Sequence, residues 1–178
     1  MKEREIVIRE ARDSDRDAIR KVLLDAYSQY EDVLPPDRWE AYRDNIVASV
    51  EAEGPRVRLV AERDGNVVGS ALLFDSSLAA YGHDIGIESP IIRLLAVSPC
   101  ARGQGVATAL LWESAKRALE WGADTLHLHT SDMMASAVRL YERLGFERAY
   151  DKEFYNGETL VKSYRLRLGE SVLLQAQA

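Results

Sequence analysis

The chain has 178 residues, of which 47% are hydrophobic and 29% charged, and its formal net charge is −6. These values are typical of one water-soluble globular domain, and the acidic balance argues against a nucleic-acid-binding surface. Its single cysteine, Cys100, excludes a disulfide within the chain. We expect a cytoplasmic protein, because we find neither a secretory signal nor an apolar run long enough to span a membrane.

The N-terminal elements predicted from the sequence are a strand and two helices. Residues 6–11 have the apolar content of a short strand. Apolar residues at helical spacing follow, and Asp13 or Ser14 can cap that helix. Pro36 suits the first turn of a second helix.

The middle of the chain predicts a hairpin, a loop and a central strand. Asp64 and Gly65 join two β-rich runs, which is a strong hairpin signal. Residues 75–89 predict a loop. The apolar run IIRLLAV at 91–97 predicts the fourth strand.

The last third of the chain predicts two more helices and three more strands. Residues 105–121 predict a helix that Gly122 ends. TLHLHT at 125–130 predicts the fifth strand. A helix stopped at Gly145 follows, and two further strands are expected within 147–168. The order β-α-α-β-β-β-α-β-α-β-β predicts one α/β domain with a mixed sheet.

Between the fourth strand and the next helix lies the segment Arg102-Gly103-Gln104-Gly105. The first N–H groups of a helix lack partners within the helix, and the helix dipole makes this end positive. Glycines let the backbone approach an anion, and Arg102 adds donors that match phosphate. The segment therefore predicts a phosphate or pyrophosphate site, although a tight turn that needs glycine explains two glycines alone equally well.

Two other phosphate-binding motifs fit this segment less well. No Gly-Lys-Ser/Thr follows the glycines, which excludes a Walker loop. Residues 103–108 have the pattern GxGxxT after a predicted strand, which is similar to the GxGxxG motif of dinucleotide-binding domains. However, Thr108 holds the third small position, and a dinucleotide-binding domain normally opens with this unit. A dinucleotide-dependent oxidoreductase stays an alternative that NAD(P)H binding would test.

The segment RLLAVSPCARGQGVATALL at 93–111 resembles the GCN5-related N-acetyltransferase (GNAT) superfamily. The signature of that family, Arg/Gln-x-x-Gly-x-Gly/Ala, is matched by Arg102, Gly105 and Ala107. The later LYERLGF at 140–146 resembles the next motif of the family. The order of elements along most of the chain is also similar.

The resemblance implies an α/β (α+β) fold with one domain at 1–169 and a C-terminal tail at 170–178. Its sheet would be mixed and mostly antiparallel, with about seven strands and helices on both faces, and splayed between the fourth and fifth strands. The implied activity is transfer of an acetyl group from acetyl-CoA, without a metal, to a primary amine by direct attack in a ternary complex. The acceptor would be a small molecule, peptide or protein; nucleic acid and membrane are not expected as partners, and a homodimer is compatible with the family.

The resemblance also assigns residues to the cofactor. Backbone amides of the glycine segment and the helix entrance would hold the pyrophosphate of coenzyme A, and the fourth strand would bind the pantetheine arm. The residues are Leu95, Ala96, Val97, Arg102, Gly103, Gln104, Gly105, Val106, Ala107 and Thr108. A backbone N–H near Leu95 or Val97 would stabilise the oxyanion of the reaction.

Two catalytic residues are predicted. The family motif places the hydroxyl of Tyr141 against the thioester sulfur, although the helical position of Tyr141 also suits a core aromatic. The acceptor amine, with a pKa near ~10.4, needs help to lose its proton. Many relatives carry a glutamate on the fourth strand where this chain has Ile91. Glu88 is the nearest carboxylate, and a plain surface position is its alternative.

Other polar residues are weaker catalytic candidates. His83 and Asp84 lie in the same predicted loop as Glu88. His127 and His129 alternate with leucines, so both should point to one face of the fifth strand. They lack a third ligand for a metal. His129 lies where some relatives carry a catalytic carboxylate, and a partly buried polar role is its alternative.

The acceptor site is the part that the sequence defines least. Tyr27, Tyr30 and Trp39 are expected either to line the acceptor cleft or to pack in the core. Met134 stands where several relatives have an asparagine that contacts the cofactor arm. Because the usual base is missing, a non-catalytic acyl-CoA-binding or regulatory module is the alternative to an enzyme.

Overall fold

The structure is a computed structural model that describes residues 5–130, 135–156, 158–170 and 174. Its strands are β1 (Ile6–Glu10), β2 (Val57–Arg63), β3 (Asn66–Phe74), β4 (Ile91–Val97), β5 (Thr125–Thr130), β6 (Glu147–Arg148), β7 (Phe154–Asn156) and β8 (Thr159–Arg167). Its α-helices are α1 (Arg16–Tyr27), α2 (Pro36–Ser49), α3 (Ser77–Tyr81), α4 (Val106–Glu120) and α5 (Ala135–Arg143).

The strands form one sheet in the order β1-β2-β3-β4-β5-β8-β6, and β7 pairs with β8. Strand β8 is antiparallel to β5, β6 and β7, whereas β4 and β5 are parallel. Within the described residues the parallel pairing joins Ile91 to His127 and Ile92 to Leu128, and β4 then continues to Val97. The predicted mixed, mostly antiparallel fold is confirmed.

Two predictions of local structure were wrong. The described part of 147–168 holds three strands rather than the two expected there. Residues 75–89 are not all loop, because they contain α3. The side chain of Ser76 caps this helix by accepting a hydrogen bond from the Ala79 N–H, and Gly82 ends it. A helix of five residues is too short to show the helical period in a sequence.

The entrance of α1 also differs from the prediction. Asp13–Asp15 form a 3₁₀ turn, and neither Asp13 nor Ser14 caps the helix. Instead the Asp15 carboxylate accepts hydrogen bonds from the Arg12 N–H and from the Arg9 guanidinium, both at 2.7 Å. The Arg9 hydrogen bond is the main reason that the pKa of Asp15 is lowered to about 2. The local sequence could not show this contact, because Arg9 belongs to β1.

The chain forms two compact units, and the first comprises Met1–Leu72 and Leu94–Leu111. Its strands β1 and β2 pair antiparallel, with Ile6 opposite Arg63 and Glu10 opposite Leu59. Its core is built from apolar side chains of α1, α2, the strands and the first turns of α4. The largest fully buried ones are Leu23, Ile46, Leu59, Val60, Val106, Leu110 and Leu111.

A glycine in β3 lets α4 lie directly against the sheet in this unit. A Cβ added to Gly69 would lie 2.8 Å from Val106 Cγ1, 3.1 Å from the Ala96 carbonyl oxygen and 3.2 Å from Leu110 Cδ1. Real Cβ atoms essentially never come as close as 2.8 Å, so no other residue fits here without a shift. Gly69 therefore fixes where the first turns of α4 lie on the sheet.

The second unit comprises Leu73–Arg93 and Trp112–Ala178. Its centre is the antiparallel pair β5–β8, which runs from Thr125 opposite Arg167 to Thr130 opposite Lys162. One face of this pair carries Leu126, Leu128, Tyr164 and Leu166, all buried. The other face carries His127, His129, Ser163 and Arg165, so the two faces differ sharply in polarity.

We expect Gly69→Ala to lower the free energy of unfolding by about 1–3 kcal/mol, because the new methyl group overpacks the α4 contact. Val106→Ala alone should cost about 2 kcal/mol through the cavity that it leaves. Because the second substitution removes the atom that the new methyl meets first, the double variant should lose less than the sum of the two. Urea denaturation of the four proteins measures this coupling. Additive losses would show that the contact with Val106 is not tight.

Candidate active site

The segment Arg102–Gly105 leaves the end of β4 after a 3₁₀ turn at Pro99–Ala101 and leads into α4. Gly103 and Gly105 have φ values of +75° and +82°, a left-handed conformation that favours glycine. No atom lies within 4 Å of a Cβ built on either residue. The glycines thus leave open space beside the backbone on the path into the helix.

The entrance of α4 offers unpaired backbone donors next to that space. The first hydrogen bond of the helix runs from the Ala109 N–H to the Gly105 carbonyl oxygen at 3.0 Å. The N–H groups of Val106, Ala107 and Thr108 precede it and have no partner within the helix. Together with the helix dipole they form a site that attracts an anion.

Two side chains hold the glycine segment in place. The exposed Arg102 guanidinium donates to the Ala26 carbonyl oxygen at 3.1 Å and to Gln29 Oε1 at 3.2 Å, at the C-terminal end of α1. The Gln104 side chain donates to the Cys100 carbonyl oxygen at 3.3 Å and accepts a hydrogen bond from Arg63. Arg102, predicted as a phosphate ligand, therefore also anchors the segment to α1.

Strand β4 has an irregular backbone just before the predicted pantetheine segment. Leu94 has a φ of +51°, which is uncommon for a residue other than glycine and stores about 1–3 kcal/mol of strain. The next residue, Leu95, accepts a hydrogen bond at its carbonyl oxygen from the buried Tyr27 hydroxyl at 3.1 Å. Strain of this kind clusters at functional sites. Nothing in the apolar run IIRLLAV indicates it.

The aromatic side chains expected near the acceptor pack in the first unit. Tyr27 is buried and its ring centroid lies 6.0 Å from that of Tyr30 and 5.8 Å from that of Tyr42. Trp39 lies 6.3 Å from Tyr42. Tyr27 therefore serves the core and β4 together, since its ring packs against other rings while its hydroxyl binds Leu95.

Tyr141 lies in the second unit, on α5, and its side chain is buried at 7% exposure. Its ring centroid is 5.8 Å from that of Phe146 and 6.5 Å from that of Tyr164. Tyr164 pairs with Leu128 in the β5–β8 register, so Tyr141 packs on the apolar face of these strands. Its ring is a core aromatic, as one of the two predicted roles requires.

His127 and His129 lie on the opposite face of the same strands, as predicted. The Tyr81 hydroxyl is 2.6 Å from His129 Nδ1. His129 Nε2 and His127 Nδ1 are buried without a hydrogen-bond partner among the described residues. The structure thus places Tyr141 and His129 on different faces of β5, and it brings His129 together with Tyr81, which the sequence did not indicate.

The environment of His129 makes it a poor general base. Burial, followed by the nearby His127 and Arg93, lowers the pKa of His129 to about 4. Burial also lowers the pKa of His127 to about 4. Proton transfer from an ammonium group of pKa ~10.4 would be uphill by about 9 kcal/mol. Both imidazoles are therefore neutral hydrogen-bonding groups at neutral pH.

The carboxylates of the segment before β4 differ in their surroundings. Asp84 accepts hydrogen bonds from the Gly86 N–H at 2.7 Å and from Ser77 Oγ at 3.0 Å, which lower its pKa. This carboxylate stabilises the turn after α3. Glu88 is exposed to solvent, three residues before β4. Met134 lies outside the described residues.

A search of the described residues found no group of three or more His, Cys, Asp or Glu side chains that could hold a metal. The same part of the chain has no helix that is both long and apolar enough to cross a membrane.

Comparison with known proteins supplies the family. The sequence matches the acetyltransferase (GNAT) family over residues 16–146, which is well over half of the chain. This chain belongs to the GNAT family.

Two relatives of this GNAT chain are named as acetyltransferases. A Mus musculus protein named "Probable N-acetyltransferase family 8 member 5" is 36% identical over 89 residues, which are 50% of this chain and 37% of that protein. Streptothricin acetyltransferase of Streptomyces lavendulae is 30% identical over 126 residues, which are 70% of this chain and 61% of that enzyme. The GNAT chain thus spans less than two thirds of either relative.

Solved structures share the fold of this GNAT chain. The yncA protein of Salmonella typhimurium, solved with its cofactor acetyl-CoA, matches with a TM-score of 0.62 at 19% identity. The match covers 94% of this chain and 96% of that one. At this identity the likeness concerns the fold alone.

The buried His127 and the half-buried His129 of the GNAT chain should make its stability depend on pH. A pKa lowered from about 6.5 to about 4 means that the unfolded chain binds more protons between these values. The free energy of unfolding is therefore unaffected by these protons above pH 6.5, and it decreases as the pH falls from 6.5 towards 4. We expect His129→Gln to reduce the slope of unfolding free energy against pH in this range by up to about 1.4 kcal/mol per pH unit.

His83→Gln is the matched control, because His83 is exposed and outside the strand. Urea denaturation at several pH values between 4 and 7 measures both slopes. Equal slopes for wild type and His129→Gln would contradict the neutral, buried state of His129.

Proposed function

We propose that this chain is an acetyl-CoA-dependent N-acetyltransferase that passes the acetyl group to a primary amine of a small molecule or protein. Direct attack in a ternary complex is the proposed route. The observation that carries the proposal is the pair of left-handed glycines, with open space beside them, at the entrance of α4 in a chain of the GNAT family. The acetyl-CoA held by yncA and the activity named for the Streptomyces lavendulae relative support it.

The cofactor-binding residues of the proposal fit an extended, phosphate-bearing thioester. The backbone of Gly103 and Gly105 and the first N–H groups of α4 would receive the pyrophosphate. Arg102 uses two of its hydrogen bonds on α1, and a guanidinium has five N–H donors. The Leu95–Val97 backbone would bind the pantetheine arm. When bound, acetyl-CoA supplies an activated acetyl thioester.

Two side chains are proposed to assist the chemical step, one as a base and the other as a hydrogen-bond donor. Glu88, exposed before β4, would take the proton of the acceptor amine, directly or through water. Tyr141 would donate a hydrogen bond from its hydroxyl to the departing sulfur. Full proton transfer from a tyrosine of pKa ~10 to a thiolate of pKa ~8.5 is uphill by about 2 kcal/mol, so a hydrogen bond during bond breaking is the more favourable role.

We expect acetyl-CoA to stabilise the wild-type protein by about 2.7 kcal/mol at 100 times its dissociation constant. Gly105→Asp should abolish this stabilisation, because it places a side chain and a negative charge where the pyrophosphate would lie. The variant should still fold, since aspartate tolerates a left-handed backbone and a carboxylate is favourable before a helix. Thermal unfolding with and without acetyl-CoA measures both effects.

Gly122→Asp is the matched control for this test. Gly122 has the same φ of +82° and the same open space around a built Cβ, but it follows the C-terminal end of α4. This variant should keep the full acetyl-CoA shift. If folded Gly105→Asp shifted like wild type, the assignment of the glycine segment to the cofactor would be wrong.

We expect Tyr141→Phe to slow the chemical step by about 10²–10⁴-fold, the range for a positioned acid. Acetyl-CoA affinity and the fold should change little, because the ring and its packing on Phe146 remain. Release of the free thiol in single turnovers, with a panel of amines, measures the rate. An acetyl thioester with a more acidic thiol should recover much of the loss, because its leaving group needs less help.

Tyr164→Phe is the control, because Tyr164 is a buried tyrosine whose ring lies beside Tyr141. It should leave the chemical step unchanged. Wild-type single-turnover rates in Tyr141→Phe would remove its catalytic role. Binding of acetyl-CoA by the wild type without thiol release for any amine would favour a non-catalytic acyl-CoA-binding module.

A further inference from the structure

An aromatic cluster lies on the polar face of β5 in the second unit. It consists of the rings of Tyr81, His83, His129 and Phe154. The Tyr81 and His129 rings meet edge to face with centroids 5.3 Å apart, and Phe154 lies 5.8 Å from Tyr81 and 5.4 Å from His129. Three segments distant in sequence therefore build one aromatic surface.

The cation Arg93 stacks on the Tyr81 ring of this cluster. Its Cζ atom lies 4.8 Å from the centroid of the Tyr81 ring, and its Nη1 donates to the Ala80 carbonyl oxygen at 2.7 Å. The side chain is half-buried. Among the described residues no Asp or Glu forms an ion pair with Arg93. Since the hydrogen bond to the Ala80 carbonyl oxygen uses one of its five N–H donors, the guanidinium has N–H donors left for a ligand.

Two carboxylates that act electrostatically on the histidines of this face, Glu153 and Asp151, bind other arginines. Glu153 binds the Arg148 guanidinium, with Oε1 at 2.8 Å from Nη2. Asp151 lies 3.6 Å from Arg165 Nη1. Arg93 itself contributes to the lowered pKa of His129. Neither of these two carboxylates therefore forms an ion pair with Arg93.

The position of Arg93 connects this cation with the proposed reaction. Ile91 pairs in parallel with His127, so Arg93 and His129, each two residues further on, project to the same face. In the chain Arg93 directly precedes Leu94 and the Leu95–Val97 segment proposed for the cofactor arm. A planar guanidinium with aromatic support matches a carboxylate better than it matches any neutral group.

We propose that Arg93, held by Tyr81, binds a carboxylate of the acceptor, so that the acceptor is an amine that also carries a carboxylate, such as a free amino acid. The inference rests on the proposed N-acetyltransferase function and names its class of acceptor. The carboxylate accepts hydrogen bonds from the Arg93 guanidinium. Phe154 and His83 contribute an aromatic wall beside it.

The test compares L-amino acids with their C-terminal amides as acceptors, at saturating acetyl-CoA, by release of the free thiol. The two members of each pair share the amine and the side chain, and they differ in the carboxylate that Arg93 would bind. We expect the wild type to use the best acid about 10–100-fold more efficiently than its amide, the range for a charge-assisted contact. Arg93→Met should remove this preference by raising KM for the acid, and it should leave the amide unchanged.

Lys116→Met is the matched control. Lys116 is a cation on α4 whose Nζ lies 5.4 Å from the centroid of the Trp112 ring, so this variant also loses one positive charge and one cation–π contact. It should keep the preference for the acid. Arg93→Lys, which retains the charge but not the planar fork, should keep part of it.

The inference would be overturned if the wild type acetylated acceptors that lack a carboxylate as efficiently as it acetylates amino acids. This result does not depend on whether Arg93→Met folds. An equal loss for acid and amide in folded Arg93→Met would also overturn it, because that pattern indicates a structural role. Calorimetry with an N-acetyl amino acid, the expected product, gives a readout without turnover. If the wild type binds acetyl-CoA but releases no thiol with any amine, the proposed function fails. In that case the carboxylate site would be supported if the wild type binds the N-acetyl amino acid and Arg93→Met does not. It would be overturned if the wild type does not bind the N-acetyl amino acid.

Discussion

The contact between Gly69 and the first turns of α4 sets the position of the glycine segment in the first unit. Because Gly69 has no Cβ, Val106 and Leu110 lie directly on β3 beside the Ala96 carbonyl. This packing on β3 fixes the helix entrance, and the hydrogen bond from Arg102 to the Ala26 carbonyl oxygen ties the glycine segment to α1. Unpaired N–H groups can attract an anion only if their direction is held, so the anion site depends on this packing.

The β5–β8 pair separates two kinds of chemistry in the second unit. Tyr141 packs against the rings of Phe146 and Tyr164 on one face. His127, His129 and the stacked Arg93 lie on the other face, where burial keeps both imidazoles neutral. Because alternate residues of a strand face opposite ways, neighbours in sequence serve separate environments.

The polar face of β5 also shows how a buried site can carry charge. Removing a charge from water is costly unless it is paired, and elsewhere in this unit Arg148, which is opposite Tyr164 in the sheet, pairs with Glu153. The two histidines avoid the same cost by staying neutral. Arg93 instead keeps its charge through an aromatic ring and one carbonyl oxygen, which leaves it able to bind a further anion.

By itself the sequence determined most of the order of elements, the mixed and mostly antiparallel sheet, the family and the glycine segment, because periodicity, turn residues and the Arg102–Ala107 pattern are local signals. Only the tertiary structure decided which distant groups meet. The Arg9–Asp15 contact, the Tyr27 hydrogen bond to Leu95 and the Tyr81–His129 pair each join segments that no local pattern connects. The left-handed backbone of Leu94 and the burial that lowers the histidine pKa values also arise from packing. A run of ordinary strand residues therefore does not predict them.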